Sequence, residues 1–151
     1  MERIKVAVVQ TRSTEDIANN LARAATLVRA AAADGARLVA LPENVAFLRI
    51  STPENFGEPL DGPIISYFAA LARETGAAIL VGSFQEATGE AHRVYNTSVL
   101  LGPDGAVVRA YRKIHLFDID IPGQVSFQES AHVVAGGDVV TADLLGARFG
   151  L

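Results

Sequence analysis

Three charged residues in this sequence stand where a folded core alone gives no reason for them. Glu43 follows directly on the apolar run LVALP. That run reads as a buried parallel strand, and in open α/β sheets ligands gather at the C-terminal end of such strands. Lys113 lies within YRKIHLFDIDIPG, a stretch too charged for a buried strand and too apolar for an ordinary solvated loop. Glu129 follows in SFQES. A carboxylate can take a proton from a nucleophile and return it to a leaving group. An ammonium held in a dry pocket can stabilise a developing oxyanion. Taken singly, each residue also has a plain structural reading: an exposed acid at a strand end, half of a solvated basic pair, and a solvated loop acid. The pair Arg112–Lys113 carries more information. Successive strand residues point to opposite faces, so one cation is expected outside and the other inside, where its charge needs a carboxylate.

The remaining polar residues give weaker signals. His115 and Asp118 read as hydrogen-bonding groups of a loop, and Asn96 in YNTS as a strand residue bonding a neighbouring turn. Phe47 and Leu48, just after Glu43, are expected to pack beneath the next helix rather than to line a pocket. The sequence contains no cysteine, so these residues offer no disulfide, thiolate metal site or thiol nucleophile. His92, His115 and His132 are too far apart for a short zinc motif, and neither a metal nor an organic cofactor is expected. Ser126 or Ser130 with Lys113 as base would be another route to a hydrolase. Against it, both lie in an irregular segment without the Gly-x-Ser-x-Gly turn that exposes a serine nucleophile.

Charged groups of this kind need a rigid frame, and the sequence predicts an α/β one. IKVAVVQ is nearly continuous in apolar residues and predicts a strand covered on both faces. Ser13 or Thr14 is expected to cap the following helix, with Glu15 and Asp16 at the positive end of its dipole. Ile17, Leu21, Ala24 or Ala25, and Val28 form its apolar stripe. RLVALPE predicts a second buried strand, closed by Pro42. DGPIISYFAALARETG predicts a helix with Pro63 in its first turn and Gly76 as its stop, and AAILVGSF a third strand. The alternation is that of a layered α/β arrangement. HRVYNTSVLLGPDGAVVRAYRK then predicts a hairpin turning at Gly102–Gly105. No clean periodicity survives between Lys113 and Gly137, which predicts a long loop of the kind usually kept for function. DVVTADLLGARFGL closes with two strand-like pieces around Leu145-Gly146. ARFGL reads as a strand only just begun, whose edge would be left unpaired. Residues 1–151 are therefore expected to be the N-terminal portion of a single domain cut short.

The order of these pieces carries a resemblance. LVALPEN, then YRKIHLFDIDIPG, then FQES, with VAVVQ at the start and DGP, VGSF and YNTSVLLGPDG between, is similar to the nitrilase superfamily of carbon–nitrogen hydrolases. The branch it looks most like holds omega-amidase and deaminated-glutathione amidase. The resemblance implies an α-β-β-α sandwich, truncated here before the turn that bears the nucleophile. It implies a Glu–Lys–Cys triad in which Glu43 is the general base and Lys113 the lysine, with Glu129 as an additional active-site carboxylate. The cysteine would follow a run like ARFGL, beyond Leu151, so a chain ending there is expected to be inactive. Such a triad suits a small carboxamide: the carbon is a poor electrophile, and a covalent thioester splits one hard step into two. The resemblance also implies that the full-length protein self-associates.

Totals exclude other classes. With 13 Lys and Arg against 17 Asp and Glu, the formal net charge is −4, and the charges are interspersed, with no basic block to serve nucleic acid. No apolar run approaches the 18 or so residues a membrane span needs, and the N-terminus lacks a signal peptide's apolar core. A soluble, cytoplasmic protein is expected. A reading from another class remains beside the hydrolase: a non-catalytic α/β module for binding or assembly.

Overall fold

The structure, a computed structural model, describes residues 3–50, 57–90 and 92–151. Five strands form one sheet in the order β1-β2-β3-β4-β5: β1 (Val6–Val8), β2 (Leu38–Ala40), β3 (Ala78–Ala87), β4 (Val94–Leu101) and β5 (Val107–Arg112). The first three are parallel, with Val39 opposite Ala7 on one side and Ile79 on the other. β4 and β5 run antiparallel to their neighbours. The change of direction follows from connection length. β1, β2 and β3 are joined through helices, as parallel neighbours require. β4 and β5 are joined by the Gly102–Gly105 turn, where Gly105 takes a φ of 77°.

Two helices cover one face of the sheet. α1 (Ile17–Ala33) buries Asn20, Ala24, Ala25 and Val28, and α2 (Pro63–Thr75) buries Ile64, Ile65, Phe68, Ala69, Leu71 and Ala72. They meet Val39, Ile79, Val81, Phe84, Val99 and Leu101 from the sheet in the main core. As expected, Pro63 opens α2 and a left-handed Gly76 ends it. The cap of α1 is a correction: the carboxylate of Asp16, not Ser13 or Thr14, accepts the Asn19 N–H at 3.0 Å. Ile17 and Leu21 are only partly buried.

The other face is covered by a closing hairpin, β8 (Thr141–Leu144) and β9 (Ala147–Gly150), which turns through Leu145 and Gly146, both at positive φ. This is the two-residue turn that best matches strand twist. Ala142, Leu144, Phe149 and Leu151 pack with Leu38, Ala78 and Leu100. The architecture is thus α/β, with helices on one side of the sheet and the start of a second strand layer on the other, in the order of the expected sandwich. The hairpin does not reach β1. Val6 and Val8 are exposed, so the expectation that this strand is covered on both faces is corrected: only the face bearing Ala7 and Val9 meets the core.

The segment from Lys113 to Gly137 is a further correction. It contains a second hairpin, β6 (Asp118–Ile121) with β7 (Val125–Gln128), a short 3₁₀ turn at Glu129–Ala131, and a bridge from Val133 to Val94. Nearly all of the hairpin is exposed. With neither face buried, its residues carry no in–out pattern for a sequence reading to detect.

Candidate active site

Glu43 is placed by a turn that leans on β3. After β2 the chain continues its pairing, with Leu41 N donating to Leu80 O at 2.9 Å, then turns at Glu43 and Asn44. Asn44 sits at a φ of 54°, a conformation that Asn tolerates better than most residues. Its N–H donates to Ser83 Oγ at 2.9 Å, and Val45 N donates to Ser83 O at 3.2 Å. Gly82 makes room: a Cβ there would lie 2.0 Å from Leu41 O and 2.4 Å from Pro42 O. Beyond the turn, the buried Asn20 of α1 donates from Nδ2 to Thr14 O at 2.7 Å and Ala46 O at 2.9 Å. The "VGS" and "NN" pieces of sequence are therefore the seat of Glu43.

Lys113 is placed by the end of β5. Its N–H donates to Asn96 O, and its own carbonyl accepts from Gly136 N, both at 2.9 Å. The returning chain crosses so closely that a Cβ on Gly136 would lie 2.2 Å from Arg112 O. The pleat sends the two cations to opposite faces, as expected, but both find carboxylates. Arg112 makes a two-pronged pair with Glu86, Nε–Oε2 at 2.8 Å and Nη2–Oε1 at 2.6 Å, while its guanidinium lies 4.2 Å from the Tyr95 ring centre. Burial pushes the Glu86 carboxyl up, yet Arg112 and the Thr97 hydroxyl hold it below the usual carboxylate range.

Glu129 begins the 3₁₀ turn and is drawn inward by the backbone. Phe117 N donates to its Oε2 at 2.5 Å, and Ser130 N donates to Asp118 Oδ1 at 3.0 Å. Asp118 thus holds the loop as anticipated. His115 is exposed.

The structure brings Glu43, Lys113 and Glu129 together. Lys113 Nζ lies 3.1 Å from Glu43 Oε1 and 3.0 Å from Glu129 Oε2. Burial works against the Lys113 ammonium, but the two carboxylates outweigh it and hold its pKa above the ordinary lysine value. Burial likewise pushes Glu129 up, and the Phe117 N–H, Lys113 and Asn96 together hold it down. Lys113 and Glu129 are thereby both kept charged at neutral pH. A protonated Lys113 cannot serve as a base for Ser126 or Ser130.

Asn96 is the residue the sequence reading missed. It is buried on β4, and its Nδ2 donates to Glu43 Oε1 at 2.6 Å and approaches Glu129 Oε1 at 3.5 Å. The available signal was its position: a polar amide amid apolar strand residues must have a partner when buried. The expected dryness of the site is corrected as well. Side-chain exposure is 12% for Glu129, 27% for Lys113 and 54% for Glu43. Phe117, whose backbone N–H binds Glu129, is itself exposed.

A cavity of about 140 Å³ opens beside these groups, lined by Leu48, Arg49, Asn96, Phe127, Glu129 and His132 among others. Leu48 therefore does line a pocket, whereas Phe47 is buried as expected. A larger cavity of about 350 Å³ lies around Arg112, Glu86, Tyr95 and Asp138. It belongs to the other face of the sheet, and there the guanidinium charge is already matched by Glu86. Among the described residues no three His, Cys, Asp or Glu side chains are grouped to hold a metal ion.

Comparison with known proteins bears on what this arrangement is. The chain is 36% identical to omega-amidase NIT2 of Homo sapiens, a match covering 100% of this chain and 54% of that protein. It is 39% identical to the deaminated glutathione amidase of Mus musculus, over 87% of this chain and 42% of that protein. The chain thus spans about half the length of the curated relatives it matches. Among solved structures, XC1258 from Xanthomonas campestris, described as a CN-hydrolase superfamily protein, superposes with a TM-score of 0.81 at 29% identity, over 99% of this chain and 52% of that one. The NitFhit protein of C. elegans gives a TM-score of 0.83 at 26% identity, over 97% of this chain and 36% of that one. The family described as carbon-nitrogen hydrolase matches residues 5–151, and the chain belongs to that family.

Proposed function

We propose that residues 1–151 form the N-terminal part of one carbon–nitrogen hydrolase domain and carry the acid–base half of an amidase site. The observation that supports this best is the Lys113 ammonium bridging Glu43 and Glu129 beside an open cavity. The relatives' names, an omega-amidase and a deaminated glutathione amidase, support a small carboxamide as substrate. The nucleophile is a cysteine thiol outside these 151 residues, which contain none.

Glu43 is the general base. It takes the thiol proton as sulfur attacks the amide carbon, and returns it to nitrogen as the C–N bond breaks and ammonia leaves. It then takes a proton from water attacking the thioester and gives it back to the departing sulfur. Lys113, kept protonated, stabilises the oxyanion of each tetrahedral intermediate, by about 3–4 kcal/mol if it compares with one oxyanion-hole donor. Glu129 keeps that ammonium charged and aimed. The half-exposed Glu43 is the side of the site left accessible to substrate and thiol.

Ammonia release from a short ω-amide tests the reading. The protein carrying the cysteine is expected to release it, and Glu43→Gln and Lys113→Met to abolish the release. The 151-residue chain alone is expected to release none; turnover by that chain would refute a cysteine nucleophile. No helix among the described residues is long and apolar enough to cross a membrane. A cytoplasmic, self-associating enzyme completes the proposal, and cell fractionation and sedimentation check those two points.

A further inference from the structure

We propose that Asn96 is a positioning residue that selects which oxygen of Glu43 works as the base. The inference rests on the acid–base role given to Glu43 above. Two donors converge on one atom: Asn96 Nδ2 reaches Glu43 Oε1 at 2.6 Å and Lys113 Nζ reaches the same oxygen at 3.1 Å. Among the described residues no hydrogen bond is made to Oε2. A terminal carboxylate torsion is broad and nearly two-fold, so an unheld Glu43 would offer either oxygen. With Oε1 occupied twice, Oε2 is the oxygen presented to the open side of the site.

Lysine alone does not achieve this. Its ammonium is a point charge on a flexible stem with freely rotating donors, and here it is shared with Glu129. Asn96 offers a planar amide on a short side chain, fixed within β4 and buried. The same residue accepts the Lys113 N–H through its backbone carbonyl at 2.9 Å. One residue therefore sets the base with its side chain and the cation with its main chain. Its neutrality matters too. The two carboxylates outnumber the single ammonium, and a second cation on Oε1 would lower the basicity that proton transfer needs. An amide orients the carboxylate with less loss of basicity.

The test uses two readouts. In the protein carrying the cysteine, Asn96→Ala is expected to lower kcat by about 10- to 100-fold, a part of the roughly 10²–10⁴ that positioned proton transfer contributes, with KM changed by less than about threefold. The acid limb of its pH–rate profile is expected to move to higher pH, because the ionised carboxylates lose a donor. Asn96→Asp keeps the shape but adds a third carboxylate. Its activity is expected to be low at neutral pH and to rise as the pH falls, since a protonated Asp can donate again. A wild-type profile in both variants, or a loss of kcat with no change in pH dependence, would overturn the proposal. The second readout does not need turnover. The side-chain amide resonances of Asn96, followed by ¹⁵N NMR in the 151-residue chain, are expected to shift as the carboxylates titrate, and Glu43→Gln is expected to remove most of that shift. Resonances indifferent to both would overturn the proposal. Should they respond while the cysteine-bearing protein hydrolyses no amide, the positioning contact stands and the amidase reading falls.

Discussion

Replacing Arg112 with Met removes the partner of a carboxylate that the fold has already taken out of water. Glu86 is only 5% exposed and receives two donors from Arg112 and one, at 2.7 Å, from Thr97. Breaking a buried pair from one side costs about 3–5 kcal/mol, because the other charge is left unpaired. The Arg112 side chain is itself 48% exposed, so water offsets part of the loss and the lower end, about 3 kcal/mol, is expected. With a urea slope of about 2 kcal/mol/M, ordinary for a chain of this size, the unfolding midpoint falls by about 1.5 M at pH 7. The pH dependence carries a sign that can be checked. In the intact chain the Glu86 carboxyl lies below its ordinary value, so its contribution is present above the unfolded pKa of about 4.3 and is lost as pH falls through the folded value. In Arg112→Met burial is offset by the Thr97 hydroxyl alone, and Glu86 binds a proton more readily on acidification. The gap between the two proteins therefore narrows as pH falls from 7 toward 4. Adding Glu86→Gln to Arg112→Met is expected to restore most of the loss at pH 7, since no charge is then left buried. An Arg112→Met protein within 0.5 kcal/mol of the parent, the range of about ±0.5 kcal/mol typical of surface substitutions, would refute the reasoning.

Three further outcomes follow from the same geometry. Gly82→Ala is expected to cost about 1–3 kcal/mol, as overpacking does, and to displace the turn bearing Glu43, because the new Cβ would sit 2.0 Å from Leu41 O; thermal melting and loss of the Lys113–Glu43 contact by NMR check it. Asn20→Ala is expected to destabilise the chain by about 1–3 kcal/mol, since Ala46 O and Thr14 O both lose a donor; urea titration measures it. Lys113 has a raised pKa, so its stabilising share is present below about pH 10.4, the unfolded lysine value, and is lost as pH rises through the higher folded one; alkaline unfolding of the parent should contain this component, and Lys113→Met should lack it.

The sequence made some of this legible and hid the rest for definite reasons. α2 was readable because Pro63, Gly76 and the stripe through Ile64, Phe68 and Leu71 agree on one helix. The β4–β5 hairpin was readable because two β-branched runs flank a turn containing Gly105. Glu43, Lys113 and Glu129 were each ambiguous from composition alone, and their convergence is a tertiary fact that only the order of the surrounding motifs anticipated. The β6–β7 hairpin was hidden because exposure on both faces leaves no alternation to detect. The exposed face of β1 was hidden because VAVV reads the same whether one face is covered or two. Asn96 was hidden for another reason: its partners are 53 and 33 residues away, and no local pattern distinguishes an amide aimed at a carboxylate from one bonding a nearby turn.

The two cations at the end of β5 also explain how a strand terminus can hold a functional group in register. Moving a strand by one residue exchanges its faces, and at this position that would send Lys113 toward Glu86 and Arg112 toward Glu43. Either cation could pair with either carboxylate on charge alone, so charge does not fix the register. Shape does. The guanidinium fork takes both oxygens of Glu86 at once and stacks beside Tyr95, an arrangement an ammonium cannot copy. A compact ammonium, in turn, can sit between Glu43 and Glu129, where a planar fork would have to choose one. The close crossing of Gly136 over Arg112 then locks the strand end from outside. On this account Arg112→Lys and Lys113→Arg together keep every charge and still lose the site, and a double variant whose cation at position 113 still contacts both Glu43 and Glu129 by NMR would show that charge, not shape, sets the register.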